Sequence, residues 1–493
     1  MKTPTADISQ GHQDTVARGA LSFIAVQLAF AVGGYAIHCY LGRRLGPVSY
    51  GDFGIAIGIL AWLEVSLSGG FPYVIRRFGA QDPGLMPSIA RAALRAQIVY
   101  SMLIFTAAMA TAPLLASVMH DPKLTNLIRL ACADIPVFGL YFSYMAILNG
   151  RQQFSHQAMA MTVYAAAKVA AVLLLVMVGL GVRGALIGNI LASVGGAALA
   201  AFYSGRIPKA VPYPIRKLIS YAGGTAALAV ATSLIINLDL FMVKAIERSA
   251  VDTGFYTAAG TLARAPFMVF LAIPGAALPA IAKAAIRSDR ALISRYVRQS
   301  LRLHMLLLMP ATAIIASTAV GTIDLVYSSR YAPAGPSLAT LAVAMMLFGF
   351  TNTLYNVMVA VGDTKSPLIT SAALITIIAG LSLLLIPRMG MTGAATASLI
   401  TSAIGLIVTC GLCGRRVGTS VVSIDSAVRI SGAAAIVYGL GRMIPVQGAA
   451  LLPFYVLLLA VYSTVLWLTR ELTPDDVARL TDAVARKKNN APC

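Results

Sequence analysis

Charged side chains are scarce in this chain. Asp, Glu, Lys and Arg together make up 11% of its 493 residues, where a soluble domain carries about a quarter. Acidic residues are the rarest of these, with 18 Asp and Glu against 38 Lys and Arg. Hydrophobic residues account for 58% of the sequence, far more than a soluble core needs. This composition excludes a soluble globular fold and predicts an all-α protein that crosses a membrane many times.

Catalytic and cofactor motifs are also missing. The sequence has no phosphate-binding loop of the Gly-x-x-x-x-Gly-Lys-Ser/Thr type, no His-Glu-x-x-His and no spaced Cys/His cluster. The few cysteines are scattered, and Cys410-x-x-Cys413 lacks a second ligand pair, so we interpret them as packing residues. We therefore expect no enzyme activity, no metal and no cofactor. Energy must then come from an H⁺ or Na⁺ gradient, the membrane potential or consumption of the product.

Apolar segments of about 20 residues recur along the chain and predict its membrane spans. Closely spaced pairs leave a predicted range of about 12 to 14 spans. The first 16 residues are polar and lack the features of a signal peptide, so we interpret them as a cytoplasmic tail. The predicted spans are 19–41, 53–75, 93–117, 127–149, 158–180, 184–204, 219–244, 254–282, 303–327, 336–361, 367–387, 393–412, 427–445 and 447–469.

A connector rich in Pro, Lys and Arg at 205–217 divides the chain. It separates an N-terminal six-helix lobe (1–204) from a second six-helix lobe (218–413), and two extra spans with a cytoplasmic tail follow at 414–493. Most Lys and Arg lie in the tails and in the loops on the connector's side, so the positive-inside rule places both termini in the cytoplasm. The dispersal of these charges over short loops excludes a nucleic-acid site and favours contacts with membrane lipids.

An internal repeat supports the two lobes. Gly181-Val182-Arg183-Gly184-Ala185 matches Gly390-Met391-Thr392-Gly393-Ala394, and Val48-Ser49-Tyr50-Gly51 matches Val251-Asp252-Thr253-Gly254. Leu148-Asn149-Gly150 ends the fourth predicted span as Val361-Gly362-Asp363 ends the tenth. Since each half has an even number of spans, the repeat is predicted to be parallel, with the substrate cavity at the interface between the halves.

Several loose motifs in a specific order give the chain a family resemblance. They are Leu45-Gly46-Pro47-x-x-Tyr50-Gly51, Leu148-x-Gly150, Asp239 followed by Gly254-x-Tyr256-x-x-Ala259, Leu325-Val326-Tyr327 with Tyr331, and Ile386-Pro387-x-x-Gly390-x-x-Gly393-Ala394-Ala395. The chain resembles the Wzx-type oligosaccharide and lipopolysaccharide flippases, within the superfamily that also includes lipid II flippases and multidrug and toxin extruders. The motifs cover about 17–412.

The resemblance implies a function. It implies that two six-helix lobes move a polyprenyl-diphosphate-linked oligosaccharide from the cytoplasmic to the periplasmic leaflet of a bacterial inner membrane by alternating access. The product would serve lipopolysaccharide or exopolysaccharide synthesis, with a polysaccharide polymerase and a chain-length regulator as expected partners.

Basic residues inside the spans are candidate substrate contacts, because a charge in the bilayer is costly unless it faces a cavity or a partner. Lys168 either binds the diphosphate from the cavity wall or pairs with a carboxylate of a neighbouring span. Arg264 ends a stripe with Thr253, Thr257 and Thr261, and its guanidinium suits a phosphate. Alternatively, Arg264 forms a bond to a neighbouring helix. Arg43 and Arg44 are expected at the periplasmic rim, as interfacial anchors or diphosphate contacts.

Acidic and amide residues in the spans are candidates for ion coupling or pairing. Asp239 couples transport to a cation, or holds Arg264 or Lys244 in place. Glu64 has the same two interpretations, and Asp134 is expected to pair with Arg129 along its own helix. The amides of Asn352 and Asn356 are predicted to join helices or to contact sugars.

Two alternative functions remain open from the sequence. A cation-coupled drug extruder of the same fold would favour intramembrane carboxylates over Lys168 and Arg264. A membrane-embedded polysaccharide polymerase or ligase would need a large periplasmic loop, whereas every outward loop here is short.

Overall fold

The computed structural model describes residues 5–208, 211–270, 281, 282, 284, 285, 287, 289–417 and 423–472. This part of the chain folds into helices and short connections, with no β-strand. Helices are expected because backbone polar groups inside a bilayer must be hydrogen-bonded within their own segment. The helices are α1 (Thr5–Gly69), α2 (Phe71–Gln81), α3 (Met86–Val118), α4 (Leu124–Cys132), α5 (Ile135–Gly150), α6 (Phe154–Leu175), α7 (Gly181–Ser204), α8 (Ile215–Glu247), α9 (Ala250–Phe270), α10 (Arg290–Ser317), α11 (Ala319–Val326), α12 (Gly335–Ala360), α13 (Lys365–Val417), α14 (Ile424–Met443) and α15 (Leu451–Leu468).

Nine segments of the described chain are long and apolar enough to cross a membrane. Three of them, Val32–Gly79, Phe154–Ser204 and Lys365–Val417, contain 48, 51 and 53 residues. About 20 residues span the hydrocarbon core, so each is too long for one straight crossing. Each contains a glycine with positive φ that interrupts the helix, at Gly46, Gly179 and Gly390 respectively. The all-helical, multi-pass class is therefore confirmed, whereas fourteen crossings stay a prediction.

The two halves share a break in the backbone. Gly181 has φ 55° and ψ −134°, and Gly390 has φ 61° and ψ −143°. Residues other than glycine are strained in this region of φ/ψ space. Three residues later, a Cβ at Gly184 or at Gly393 would collide with a backbone carbonyl of the preceding segment. The repeated glycines of the sequence thus form the same turn and the same close approach in both halves.

The fourth and tenth predicted spans end in the same kind of turn. Gly362 has φ 92°, and the residue in the first half with the same conformation is Gln152, with φ 59°. At both turns the amide of the following residue donates to the carbonyl five residues earlier, at 2.9 Å and 2.8 Å. This is the Schellman ending of a helix, which requires a residue with positive φ. Gly150 itself is helical, so Gln152 is the equivalent position.

The repeated glycines Gly51 and Gly254 lie against each other. A Cβ at Gly51 on α1 would lie 2.8 Å from the amide nitrogen of Gly254 on α9. A Cβ at Gly254 would overlap the carbonyl of Pro47, and one at Gly54 would overlap the side chain of Thr257. The two helices therefore cross at glycines that occupy the same place in the two repeated segments, as expected of a contact on a twofold pseudo-axis.

The chain packs as two compact units. One is Met1–Thr261 with Pro367–Ala397, and the other is Leu262–Ser366 with Ser398–Cys493. The first contains apolar clusters around Ile75 and around Tyr141. In the second unit, α14 and α15 pack on α10 in a further cluster. The division of the chain into lobes at 205–217 stays a prediction.

Candidate functional site: a buried polar cluster

Five polar residues converge inside the first unit. They are Glu64 on α1, Asp134 between α4 and α5, Lys168 on α6, and Asn189 and Ser193 on α7, and we call them the polar cluster. Asp134 is 0% exposed. Its Oδ2 accepts hydrogen bonds from Asn189 Nδ2 at 2.9 Å and from Ser193 Oγ at 3.0 Å. Asn189 and Ser193 are one turn apart on α7, so both donors face the same carboxyl group.

Glu64 and Asp134 are neighbouring acids whose carboxyl groups interact electrostatically. Two ionised carboxylates side by side repel each other, so a proton on one of them would relieve the repulsion. The Lys168 ammonium interacts electrostatically with both carboxyls and lies 5.8 Å from the centre of the Tyr164 ring. A nearby ammonium reduces the cost of placing two acids inside the bilayer.

Three oxygen atoms of the polar cluster are buried without a hydrogen-bond partner: Glu64 Oε1, Asp134 Oδ1 and Asn189 Oδ1. Buried acceptors are normally paired, so each such atom calls for an explanation. Carboxyl and amide oxygens are acceptors for a proton donor and ligands for hard cations. Among the residues that the structure describes, no group of three or more His, Cys, Asp or Glu side chains could hold a metal ion.

Two pairs expected along the same helix do not form. Asp134 does not pair with Arg129, which is exposed and donates from Nε to the Met109 carbonyl at 3.4 Å. Asp239 does not hold Lys244, whose ammonium lies 2.9 Å from Asp121 Oδ2, and Arg264, the other partner expected for Asp239, stays a prediction. In both cases the predicted partners are five residues apart, which places them roughly 140° apart around a helix.

Asp239 is buried in the first unit, with 1% exposure. Its Oδ2 accepts a hydrogen bond from the Tyr256 hydroxyl at 2.8 Å, and Tyr256 is equally buried. The bond joins α8 to α9, so Asp239 has at least a packing role. Its role in ion coupling stays a prediction.

The polar stripe on α9 is mainly a packing surface. Thr253 and Thr257 are buried, and the hydroxyls of Thr253, Thr257 and Thr261 donate to backbone carbonyls one turn earlier, at 2.7, 2.7 and 2.8 Å. Their side chains therefore offer no free donor in this arrangement. Arg264, at the end of the stripe, is partly exposed. Its contact with phosphate stays a prediction.

Four further predicted residues lie on α1 and α12. Arg43 and Arg44 are exposed on α1 just before the break at Gly46. Asn352 and Asn356 are partly buried on α12. The Asn356 amide donates to the backbone carbonyl of Asn352 at 3.0 Å, so this donor serves its own helix. Sugar contacts by either residue stay a prediction.

Sequence reasoning missed three important polar residues. Asn189 and Ser193 complete the polar cluster. Asp121 forms an ion pair with Lys244, and Lys244 is 2% exposed while Asp121 is 20% exposed. The only signal for this pair was a lysine at the end of a predicted span, because the partners are far apart in the chain.

Solved structures of similar shape belong to one class of membrane transporter. The lipid II flippase MurJ in an inward closed conformation has a TM-score of 0.74 at 15% identity, covering 92% of this chain and 99% of that one. An inward-facing multidrug resistance MATE transporter of the MOP superfamily has a TM-score of 0.66 at 16% identity, covering 80% and 98%. A MOP superfamily transporter from Pyrococcus furiosus has a TM-score of 0.62 at 16% identity, covering 82% and 95%. At these identities the likeness shows a MurJ/MATE-like fold.

The family is shown by the sequence itself. The family of polysaccharide biosynthesis proteins matches residues 40–336, which is more than half of the chain. No curated protein matches the sequence. The chain therefore belongs to the polysaccharide biosynthesis protein family. It is a multi-pass membrane protein.

Proposed function

We propose that this protein is a flippase for a polyprenyl-diphosphate-linked oligosaccharide. It moves the lipid from the cytoplasmic to the periplasmic leaflet of a bacterial inner membrane, with both termini in the cytoplasm, and the sugar enters lipopolysaccharide or exopolysaccharide synthesis. A polysaccharide polymerase and a chain-length regulator are the proposed partners.

One observation supports this proposal most strongly: a polysaccharide biosynthesis protein with a MurJ/MATE-like fold buries a charged cluster among its membrane-spanning helices. A carboxyl group and an ammonium at this depth are expensive, so they indicate function by default. MurJ, whose fold the chain shares, is a lipid II flippase.

The polar cluster is the proposed coupling site. Glu64 and Asp134 are neighbouring acids beside Lys168, and three buried oxygens in the cluster accept no hydrogen bond. Binding or release of H⁺ or Na⁺ there changes the net charge beside Lys168. A change of charge inside the bilayer alters the relative stability of two conformations of the protein. An ion that binds one conformation more tightly than the other therefore shifts the equilibrium between them.

The substrate contacts follow from residue chemistry. Arg264 is the proposed diphosphate contact within the spans, with Arg43 and Arg44 as contacts at the periplasmic end. Lys168 either contacts the diphosphate as well or pairs with the carboxyl groups of the polar cluster. Its interaction with both carboxyls favours the second role. Asn352 and Asn356 are the proposed sugar contacts.

A cation-coupled extruder is the second candidate. The observation in its favour is the pair of carboxyl groups, Glu64 and Asp134, because organic cations bind to intramembrane acids. A polymerase or ligase is not supported by the family and fold.

The test is translocation in proteoliposomes, with a polyprenyl-diphosphate oligosaccharide accessible on one side and an H⁺ or Na⁺ gradient applied. Glu64→Gln and Asp134→Asn keep shape and hydrogen bonding but remove the titrating groups. We expect each to reduce gradient-driven translocation about 10-fold, the usual scale of coupling between two sites. Arg129→Gln is the matched control, since Arg129 is exposed and outside the cluster, and it should leave the rate unchanged. A wild type that moves no lipid-linked sugar under either gradient contradicts the proposed function.

A further inference from the structure

The short helix α2 exposes tyrosine and arginine beside the first turns of α8. Its buried face packs with α3, α5 and α8 in one apolar cluster. Its other face carries Tyr73, which is 38% exposed, and Arg77, which is also exposed. An amphipathic helix that is well packed on one side holds the residues of its open side in fixed places.

Tyr221 of α8 completes an array with these residues. The rings of Tyr73 and Tyr221 are stacked, with centroids 6.1 Å apart and planes 17° apart. The Arg77 guanidinium lies 4.6 Å from the centre of the Tyr221 ring, and its Nη1 donates a hydrogen bond to the Tyr221 hydroxyl. The Arg76 guanidinium lies 5.9 Å from the centre of the Tyr73 ring. We call Tyr73, Arg76, Arg77 and Tyr221 the tyrosine–arginine site.

The arginines of this site keep donors for a ligand. Within the described part of the chain, no ion pair joins Arg76 or Arg77 to a carboxylate. The nearest acid along the chain, Asp82, instead accepts from the amides of the following turn through its Oδ1. An arginine has five N–H donors, and the bond to Tyr221 uses one of them at Arg77.

Neighbouring arginines at this end of the helices serve the structure instead. Arg91 donates to the Ile207 carbonyl at 2.8 Å, and Arg151 donates to the Ser204 carbonyl at 2.6 Å. Both bonds fix the chain where α7 ends and the connector begins. The arginines of the tyrosine–arginine site differ from Arg91 and Arg151, because their guanidinium groups lie over aromatic rings and not on backbone carbonyls.

The chemistry of the site fits a phosphorylated sugar lipid. Guanidinium groups bind phosphate oxygens through paired donors. Each guanidinium of the site lies over a tyrosine ring, and this contact restricts the side chain, so less conformational entropy is lost on binding. The exposed face of a tyrosine ring also packs well against the apolar face of a sugar ring. Both features together suit a head group with phosphate and sugar next to each other.

We infer that the tyrosine–arginine site binds a lipid diphosphate head group, with the arginines on phosphate oxygens and Tyr73 against the first sugar. The inference rests on the proposed function for the kind of lipid. It adds an initial binding site at the predicted cytoplasmic end of the helices, where the head group would first meet the protein. Anionic phospholipids share the phosphate chemistry and are common at such interfaces, so they are the competing ligand.

The test measures binding to the full-length protein in nanodiscs with three lipids: a polyprenyl diphosphate, the same lipid carrying a sugar, and phosphatidylglycerol. We expect Arg77→Gln to weaken both diphosphate lipids about 10-fold, the effect of losing a charge-assisted hydrogen-bonding group. Tyr73→Leu keeps the apolar volume and should weaken only the sugar-bearing lipid. Arg95→Gln removes another exposed arginine at the same end, and its affinities should match wild type.

The possible outcomes separate the two proposals. Phosphatidylglycerol that binds as tightly as the diphosphate lipids, or an Arg77→Gln variant with wild-type affinity, overturns the site. If wild type moves lipid-linked sugar in proteoliposomes while both variants bind normally, only the site is wrong. If wild type binds the diphosphate lipid through Arg77 yet moves no lipid-linked sugar, the site stands as a binding site and the proposed function fails.

Discussion

Removal of Asp121 should destabilise the protein more than removal of its partner Lys244. The two groups form an ion pair at 2.9 Å, with Lys244 2% exposed and Asp121 20% exposed. In Asp121→Asn the ammonium stays buried without its counter-ion, which costs about 3–5 kcal/mol for a fully buried pair. Asp52 lies within electrostatic reach of Lys244 and compensates in part. We therefore expect the lower end, about 3 kcal/mol.

The opposite variant leaves a different group behind. In Lys244→Met the remaining carboxylate of Asp121 still reaches water, so its loss of a partner should cost about 1–2 kcal/mol. The double variant should then be more stable than Asp121→Asn alone, because it no longer buries an unpaired charge.

Unfolding in detergent, followed by an intrinsic fluorescence or size-exclusion assay, measures these differences. Lys123→Met serves as the control, since Lys123 is exposed beside the same turn. Equal costs for the two single variants, or a double variant whose cost is the sum of both, would refute the reasoning from burial.

Three further predictions concern other parts of the chain. Gly390→Ala should destabilise the protein by about 1–3 kcal/mol in the same unfolding assay, because φ 61° and ψ −143° strain any other side chain. Glu471→Gln should loosen α14 and α15, measured as faster hydrogen exchange there, since Glu471 accepts from Arg302 Nε at 2.7 Å. Burial acts to raise the pKa of Asp363, but hydrogen bonds from Ser366 and the Arg416 guanidinium outweigh it and hold this pKa below 3.8. The stability that Asp363 contributes is therefore fully present above pH 3.8 and lost as the pH falls through the lower folded pKa. The difference in unfolding midpoint between wild type and Asp363→Asn should shrink below pH 3.8. A difference that stays constant with pH would contradict this prediction.

The fold was largely predictable because hydrophobic length dominates in a membrane. Runs of about 20 apolar residues predict helices, and the glycine pairs at Gly181 and Gly390 predicted the repeated break. The ends of the fourth and tenth spans could be compared in the sequence, but the residue that makes each turn could not be assigned, because a glycine can also lie inside a helix and only φ shows which residue turns. At Gln152 the turn uses a residue that sequence patterns seldom mark.

The candidate site was predictable residue by residue but not as an arrangement. Glu64, Asp134 and Lys168 each stood out because charges are costly inside spans. Their convergence depends on how α1, α4 and α6 pack, which no spacing along one helix reveals. The expected pairs of Asp134 with Arg129 and of Asp239 with Lys244 failed because sequence proximity favoured partners on the same helix, whereas the two carboxyl groups accept hydrogen bonds from α7 and from α9.

The most direct test of the central claim is a comparison of substrates with the wild-type protein in proteoliposomes. One sample offers a polyprenyl-diphosphate oligosaccharide on a single side, and the other offers a soluble organic cation, under the same H⁺ or Na⁺ gradient. The proposed function predicts translocation of the lipid-linked sugar and no gradient-driven export of the cation. Export of the cation without movement of any lipid-linked sugar would contradict the flippase and support the extruder.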